Sequence, residues 1–198
     1  MSSEKSLSTT RKVDGMKRTI ALLGALALMA AGAELVNATQ LVSMTPRQMG
    51  EQAQLVVAGK VSGEQSFWNE KRTKIFTRID VAVDASYKGG TPVSVSLLQL
   101  GGTVDGVRTT VDGAVQWRVG EEVLLFLEPY TKGTYQVTGL SQGKFRIERD
   151  ATTGAAFVSR PALEGVKLVS AQGSALRGAA IEKIPIERFI AEALGEKK

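Results

Sequence analysis

The clearest signal along the chain is a period-two alternation over Lys74–Lys88. Ile75, Thr77, Ile79, Val81, Val83 and Ala85 fall on one face, and Phe76, Arg78, Asp80, Ala82 and Asp84 on the other. That spacing predicts a half-buried strand, because successive side chains of extended backbone point to opposite sides. Shorter runs of the same kind occur at Leu55–Val61, Val93–Leu97, Tyr135–Thr138, Lys144–Glu148 and Ala155–Val158. Val123–Leu127 differs, being apolar at every position, and reads as a central strand covered on both faces. The intervening segments carry turn dipeptides, among them Lys88-Gly89, Asp105-Gly106, Asp112-Gly113 and the Asp150–Gly154 stretch.

Helical spacing is confined to the two ends of this region. Thr45 followed by Pro46 marks a helix start running toward Ala53. Near the C-terminus Pro185 introduces Ile186, Phe189, Ile190 and Leu194, an amphipathic face. Short strands with helices only at the ends indicate a mainly β domain: a small antiparallel OB-like barrel, with a β-sandwich as the alternative. The expected organisation is a leader over 1–33, a barrel over 39–160, and a linker with the terminal helix over 161–198.

The leader is read from its three parts. Lys17 and Arg18 precede an apolar run from Ile20 to Ala31, and small residues follow. This is the design of a secretory signal peptide, and the run is too short to span a bilayer. Cleavage is expected after Ala33 or after Ala38. Met16 reads as the natural start, since residues 1–15 show no pattern. The expected location is therefore periplasmic or extracellular, with membrane contact only through the leader.

Composition narrows the chemistry. The chain has no Cys and no His among its 198 residues, which excludes disulfides, thiolate and imidazole metal sites and a Ser-His-Asp triad. Its formal charge of +5 belongs largely to the leader. Without residues 1–33, 20 basic and 18 acidic residues remain of the chain's 25 and 20. That balance and export together argue against a nucleic-acid partner. Carboxylate or Ser-Lys hydrolase chemistry stays as a remote alternative; the expectation is a protein that is not an enzyme and takes no cofactor.

The order AQLVVAGKV, DVAVDASYKGG, VSVSLLQLGG and VGEEVLLFLEPYTKGTYQVTGL is similar to the OB-like netrin/tissue-inhibitor-of-metalloproteinase domain. It also resembles a group of exported bacterial proteins with the same skeleton. The likeness covers residues 45–150 and rests on Gly59, Lys88-Gly89, Gly101-Gly102, Gly120-Glu121 and Gly143-Lys144. It implies an exported barrel that binds another exported protein, such as a protease. The animal inhibitors act through an N-terminal cysteine, so their mechanism transfers to no residue of this cysteine-free chain.

Among candidate sites, Ser66–Lys74 places Phe67 and Trp68 beside Arg72 and Lys74 in an expected loop. Aromatic and basic residues on such a loop border the ligand face of OB-type barrels. The competing role is that Phe67 or Trp68 caps the barrel end. Glu121 and Glu122 are adjacent on a strand and cannot converge; Asp105 and Asp112 read as turn residues rather than calcium ligands. Trp117 reads as core. Gly139–Ile147, GLSQGKFRI, fails as a phosphate loop: the spacer is too short, Phe145 follows the lysine, and a strand follows in place of a helix. It is expected to be a turn, with Phe145 and Ile147 inward and Lys144 and Arg146 outward. A structural, envelope-associated protein docking through its terminal helix is the alternative function.

Overall fold

Two strands that are buried on both faces organise the structure. The computed structural model describes residues 39–195 apart from 132, 164, 165, 171 and 177–179, so the leader and its cleavage points lie outside the described residues. Its elements are β1 (Thr39–Val42), α1 (Pro46–Gln52), β2 (Leu55–Trp68), β3 (Ile75–Lys88), β4 (Ser94–Leu100), β5 (Gly102–Val104), β6 (Val107–Thr109) and β7 (Glu122–Pro129). They continue with β8 (Tyr135–Val137), β9 (Lys144–Arg149), β10 (Ala156–Arg160), β11 (Val166–Val169), β12 (Ala175–Leu176), β13 (Ile181–Pro185) and α2 (Ile186–Leu194).

Five strands close into a barrel in the order β7–β2–β3–β4–β8, with β8 returning to β7. All contacts in this circuit are antiparallel except β4–β8, which is parallel and consists of the single pair Leu97–Tyr135. Closure removes the open sheet edges that such strands would otherwise present, except beyond the single β4–β8 pair. The mainly β barrel with a helix at each end is the expected fold, and the sandwich alternative falls away.

On β2, Leu55 and Val57 point into the barrel while Val56 and Ala58 point outward, and all four are buried. On β7, Val123, Leu125 and Leu127 point in and Leu124 and Phe126 point out, with none exposed. The unbroken apolar run of β7 thus serves two cores back to back. The alternation along β3 holds too: Ile75, Thr77, Ile79 and Val81 are buried.

The second core lies outside the barrel, where β9, β10 and β13 extend the sheet from β7. Helices α1 and α2 cover it with Met49, Phe189, Ile190 and Ala193. Phe126, Phe145 and Phe189 form its centre, with ring centroids 4.6–6.2 Å apart. Thr45 caps α1 and Pro46 opens the first turn, as the sequence predicts, and Gln48 completes a capping box with Thr45. The apolar face of α2 is buried in this core, so Ile186, Phe189 and Ile190 present nothing to an outside partner. Among the described residues no helix is long and apolar enough to cross a membrane.

Two readings of local structure change. The polar stretch from Ser62 is not loop: β2 runs on to Trp68, because after a bulge at Ser62 every residue from Gly63 onward finds a partner on the long β3, down to Phe67–Phe76 and Trp68–Ile75. Cross-strand hydrogen bonding outweighs the polar sequence there. The stretch after Pro161 carries β11, β12 and β13. Of these, β11 pairs with β1 in parallel and β13 with β10, so these residues are stitched to distant parts of the chain.

Candidate functional site

The β2–β3 hairpin carries the four residues singled out from the sequence. Asn69 builds its turn: its side-chain oxygen accepts from the backbone N–H of Thr73 and Lys74 at 2.8 and 2.9 Å. Arg72 takes the left-handed conformation there, with φ +50°. The strand pleat then splits the cluster. Phe67 and Trp68 are neighbours in one strand and project to opposite faces.

On one face the indole N–H of Trp68 donates to Asp105 Oδ2 at 3.3 Å. Arg72 reaches the same oxygen at 3.4 Å, with its guanidinium 5.9 Å from the Trp68 ring. Asp105, read from the sequence only as a turn residue, thus anchors the hairpin tip. It comes from the β5–β6 turn, and its distance along the chain gives no sequence signal of this contact. The Arg72–Asp105 pair is largely solvated and contributes at most about 1 kcal/mol. On the other face Phe67 remains 39% exposed and stacks on Phe76 at 6.4 Å. Phe76 pairs in turn with Leu100 of β4, also 39% exposed. The register therefore lays Phe67, Phe76 and Leu100 in one apolar row on the outer surface. Neither Phe67 nor Trp68 belongs to the barrel core. Lys74 is exposed at the end of the turn and is held through its backbone.

The barrel interior is closed from below by the irregular segment between β6 and β7. Val115 and Trp117 insert into the core, as expected of Trp117. Gln99 fastens them: its amide donates to the Val115 carbonyl at 3.1 Å and accepts from the Trp117 indole at 3.1 Å. A cavity of about 360 Å³ lies on one side of these residues, between β4 and β8. A second, of about 320 Å³, lies on the other side, bordered by Ser66, Thr77 and Arg108.

Lys144 corrects the outward placement expected of it. Its side chain is only 11% exposed. The ammonium donates to Glu121 Oε2 at 2.7 Å and to the Gln116 carbonyl at 2.6 Å, and lies 4.8 Å from the Trp117 ring. Burial pushes its pKa below the ordinary lysine value, opposed by the hydrogen bond and charge of Glu121. A lysine stem long enough to cross the strand edge lets it lock the plug segment, which alternation alone does not reveal. Arg146 remains exposed, 3.5 Å from Glu121 Oε1. Glu121 and Glu122 engage different cations, Lys144 and Arg149.

The turn before Lys144 has a structural task. Gly139 adopts φ +63°, and Gly143 is pressed against the carbonyls of Thr138 and Phe126, where a Cβ would stand 2.8 and 3.0 Å away. Between them Gln142, 1% exposed, accepts from the Met44 N–H and donates to the Val42 carbonyl, both at 2.9 Å. The loop thereby ties the start of the domain to the barrel. Phe145 and Ile147 are buried, as expected. Among the described residues there is no group of three or more carboxylates placed to hold a metal ion. No protein-family model, curated protein or solved structure matches this chain.

Proposed function

We propose that the chain is an exported, non-catalytic binding module that acts on another exported protein, as inhibitor or accessory of a secreted protease. One observation carries this reading: the long β2–β3 hairpin ends in aromatic surface that folding leaves in water. Phe67 is 39% exposed, while Trp68 and Arg72 are held in place by Asp105. Ordered aromatic and arginine side chains are the residues that most often anchor protein interfaces. The circuit β2–β3–β4–β8–β7, with its parallel β4–β8 contact, supports an OB-type barrel, in which the first hairpin loop borders the ligand face. Export rests on the leader, with Lys17 and Arg18 ahead of Ile20–Ala31.

The test is inhibition. Protein beginning at Thr39 is incubated with proteases from the culture medium of the source cells, and residual proteolysis is measured. Saturable inhibition or activation that is lost in Trp68→Ser and Phe67→Ser supports the reading. No effect on any secreted protease, or an effect that survives both substitutions, overturns it.

A further inference from the structure

We propose that the gap between β4 and β8 is a second binding site, which takes an extended peptide as an added strand beside Leu98–Leu100. Bonded and non-bonded positions alternate along an antiparallel ladder. Toward β3 the bonded positions of β4 are the odd ones, since the Gly101 N–H donates to the Ile75 carbonyl at 2.8 Å, in register with Gln99–Thr77 and Leu97–Ile79. The backbone groups of Leu98 and Leu100 therefore face the other way, toward β8. Likewise the Thr138 N–H donates to the Phe126 carbonyl at 2.9 Å, which turns the backbone of Tyr135 and Val137 away from β7 and toward β4.

These two edges meet only at Leu97–Tyr135. Beyond it the ladder stops, and the Leu98 carbonyl, the Leu100 N–H and the Val137 N–H border the cavity of about 360 Å³. That volume is within the usual range of ligand clefts, about 300–1,000 Å³. Unpaired strand edges flanked by pockets are what peptides use when they join a sheet.

Side chains specify the occupant. A strand laid beside β4 directs alternate residues inward, onto Val115 and Trp117, and outward, beside Leu98 and Leu100. The outward set would lie beside Leu100, which is 39% exposed. Among the described residues Glu128 is the one charged residue lining the cavity, and its carboxylate accepts from the Gln52 side-chain amide at 3.1 Å. The occupant is thus a peptide of alternating β-branched residues with a basic residue and no acidic one.

The probe is the capped peptide Lys-Val-Thr-Val-Thr-Val, titrated to millimolar concentration against protein beginning at Thr39. Amide hydrogen exchange and chemical shifts are followed by NMR. Saturable binding should protect the Leu100 amide. N-methylation of alternate peptide nitrogens should weaken binding at least about tenfold, because each removes a main-chain hydrogen bond. Glu128→Gln should weaken it about threefold, as expected for loss of one half-buried, solvent-accessible charge pair. Trp68→Ser, on the far face of the hairpin, should leave it unchanged, so this site stands or fails apart from the hairpin reading. Absence of saturable binding, equal affinity of the N-methylated peptide, or an unaffected Leu100 amide overturns the proposal. So does a Leu100 amide already protected in a peptide-free dimer, which would make a second copy of the chain the occupant.

Discussion

The two cores that share β2 and β7 are sealed in different ways. Outside the barrel, α1 and α2 lie on the sheet; each bonds part of its backbone internally, and the Lys88 ammonium meets the Gly50 and Ala53 carbonyls at the end of α1 at 2.8 and 2.6 Å. Phe189 and Met49 are 0% exposed there, as are Ile79 and Leu125 inside the barrel. Inside the barrel the lid is an irregular segment whose backbone must find partners elsewhere, and it finds them in Gln99 and Lys144. Cavities of about 360 and 320 Å³ flank Trp117.

Three experiments bear on that contrast. Phe189→Ala removes the ring that joins α2 to Phe126 and Phe145, and should lower stability by about 3–5 kcal/mol in urea unfolding. Peptide binding at the β4–β8 gap, measured where the variant is still folded, should be unchanged; a parallel loss would mean that the two sides are not separable. Glu121→Ala leaves Lys144 largely buried without its carboxylate and should cost about 2–3 kcal/mol. The faster hydrogen exchange should be concentrated at Val115–Trp117, and uniform acceleration across the domain would show that the clamp does not act locally.

The smallest effect concerns acid. Hydrogen bonds from the Thr153 and Thr152 backbone and the Thr153 hydroxyl hold the Asp150 carboxyl below its ordinary pKa, and bonds from Lys183 and Ser159 do so for Glu148. A carboxylate with a depressed folded pKa binds fewer protons folded than unfolded. Its contribution is present above the unfolded pKa and is lost as pH falls through the folded one. Thermal midpoints should therefore decline as pH drops below about 4. The decline should be shallower in Asp150→Asn, whose midpoint at neutral pH should be slightly lower. An identical decline in the variant would remove Asp150 from the account.

Much of this architecture was legible beforehand. Alternation placed Ile79, Val81, Phe145 and Ile147 correctly, and the unbroken run of β7 announced a strand buried on both sides. Thr45-Pro46 and Pro185 marked both helix starts. These are local signals, in which a side chain's fate follows from the backbone period. The candidate hairpin was found by its aromatics, but the sequence assigned Phe67 and Trp68 to a loop and to one cluster. The added length of β2, set by the length of β3, sends them to opposite faces.

The sequence by itself determined which residues alternate, where the chain turns, where helices begin, and that no cysteine or histidine chemistry is present. Only the tertiary structure decided that β8 closes the barrel through a single pair, that Lys144 is drawn inward by Glu121 and Gln116, and that Asp105 and Gln142 fasten segments distant in the chain. The reason is physical. Periodicity reports the surroundings of each residue along one element, whereas closure and hydrogen-bond satisfaction depend on which elements meet.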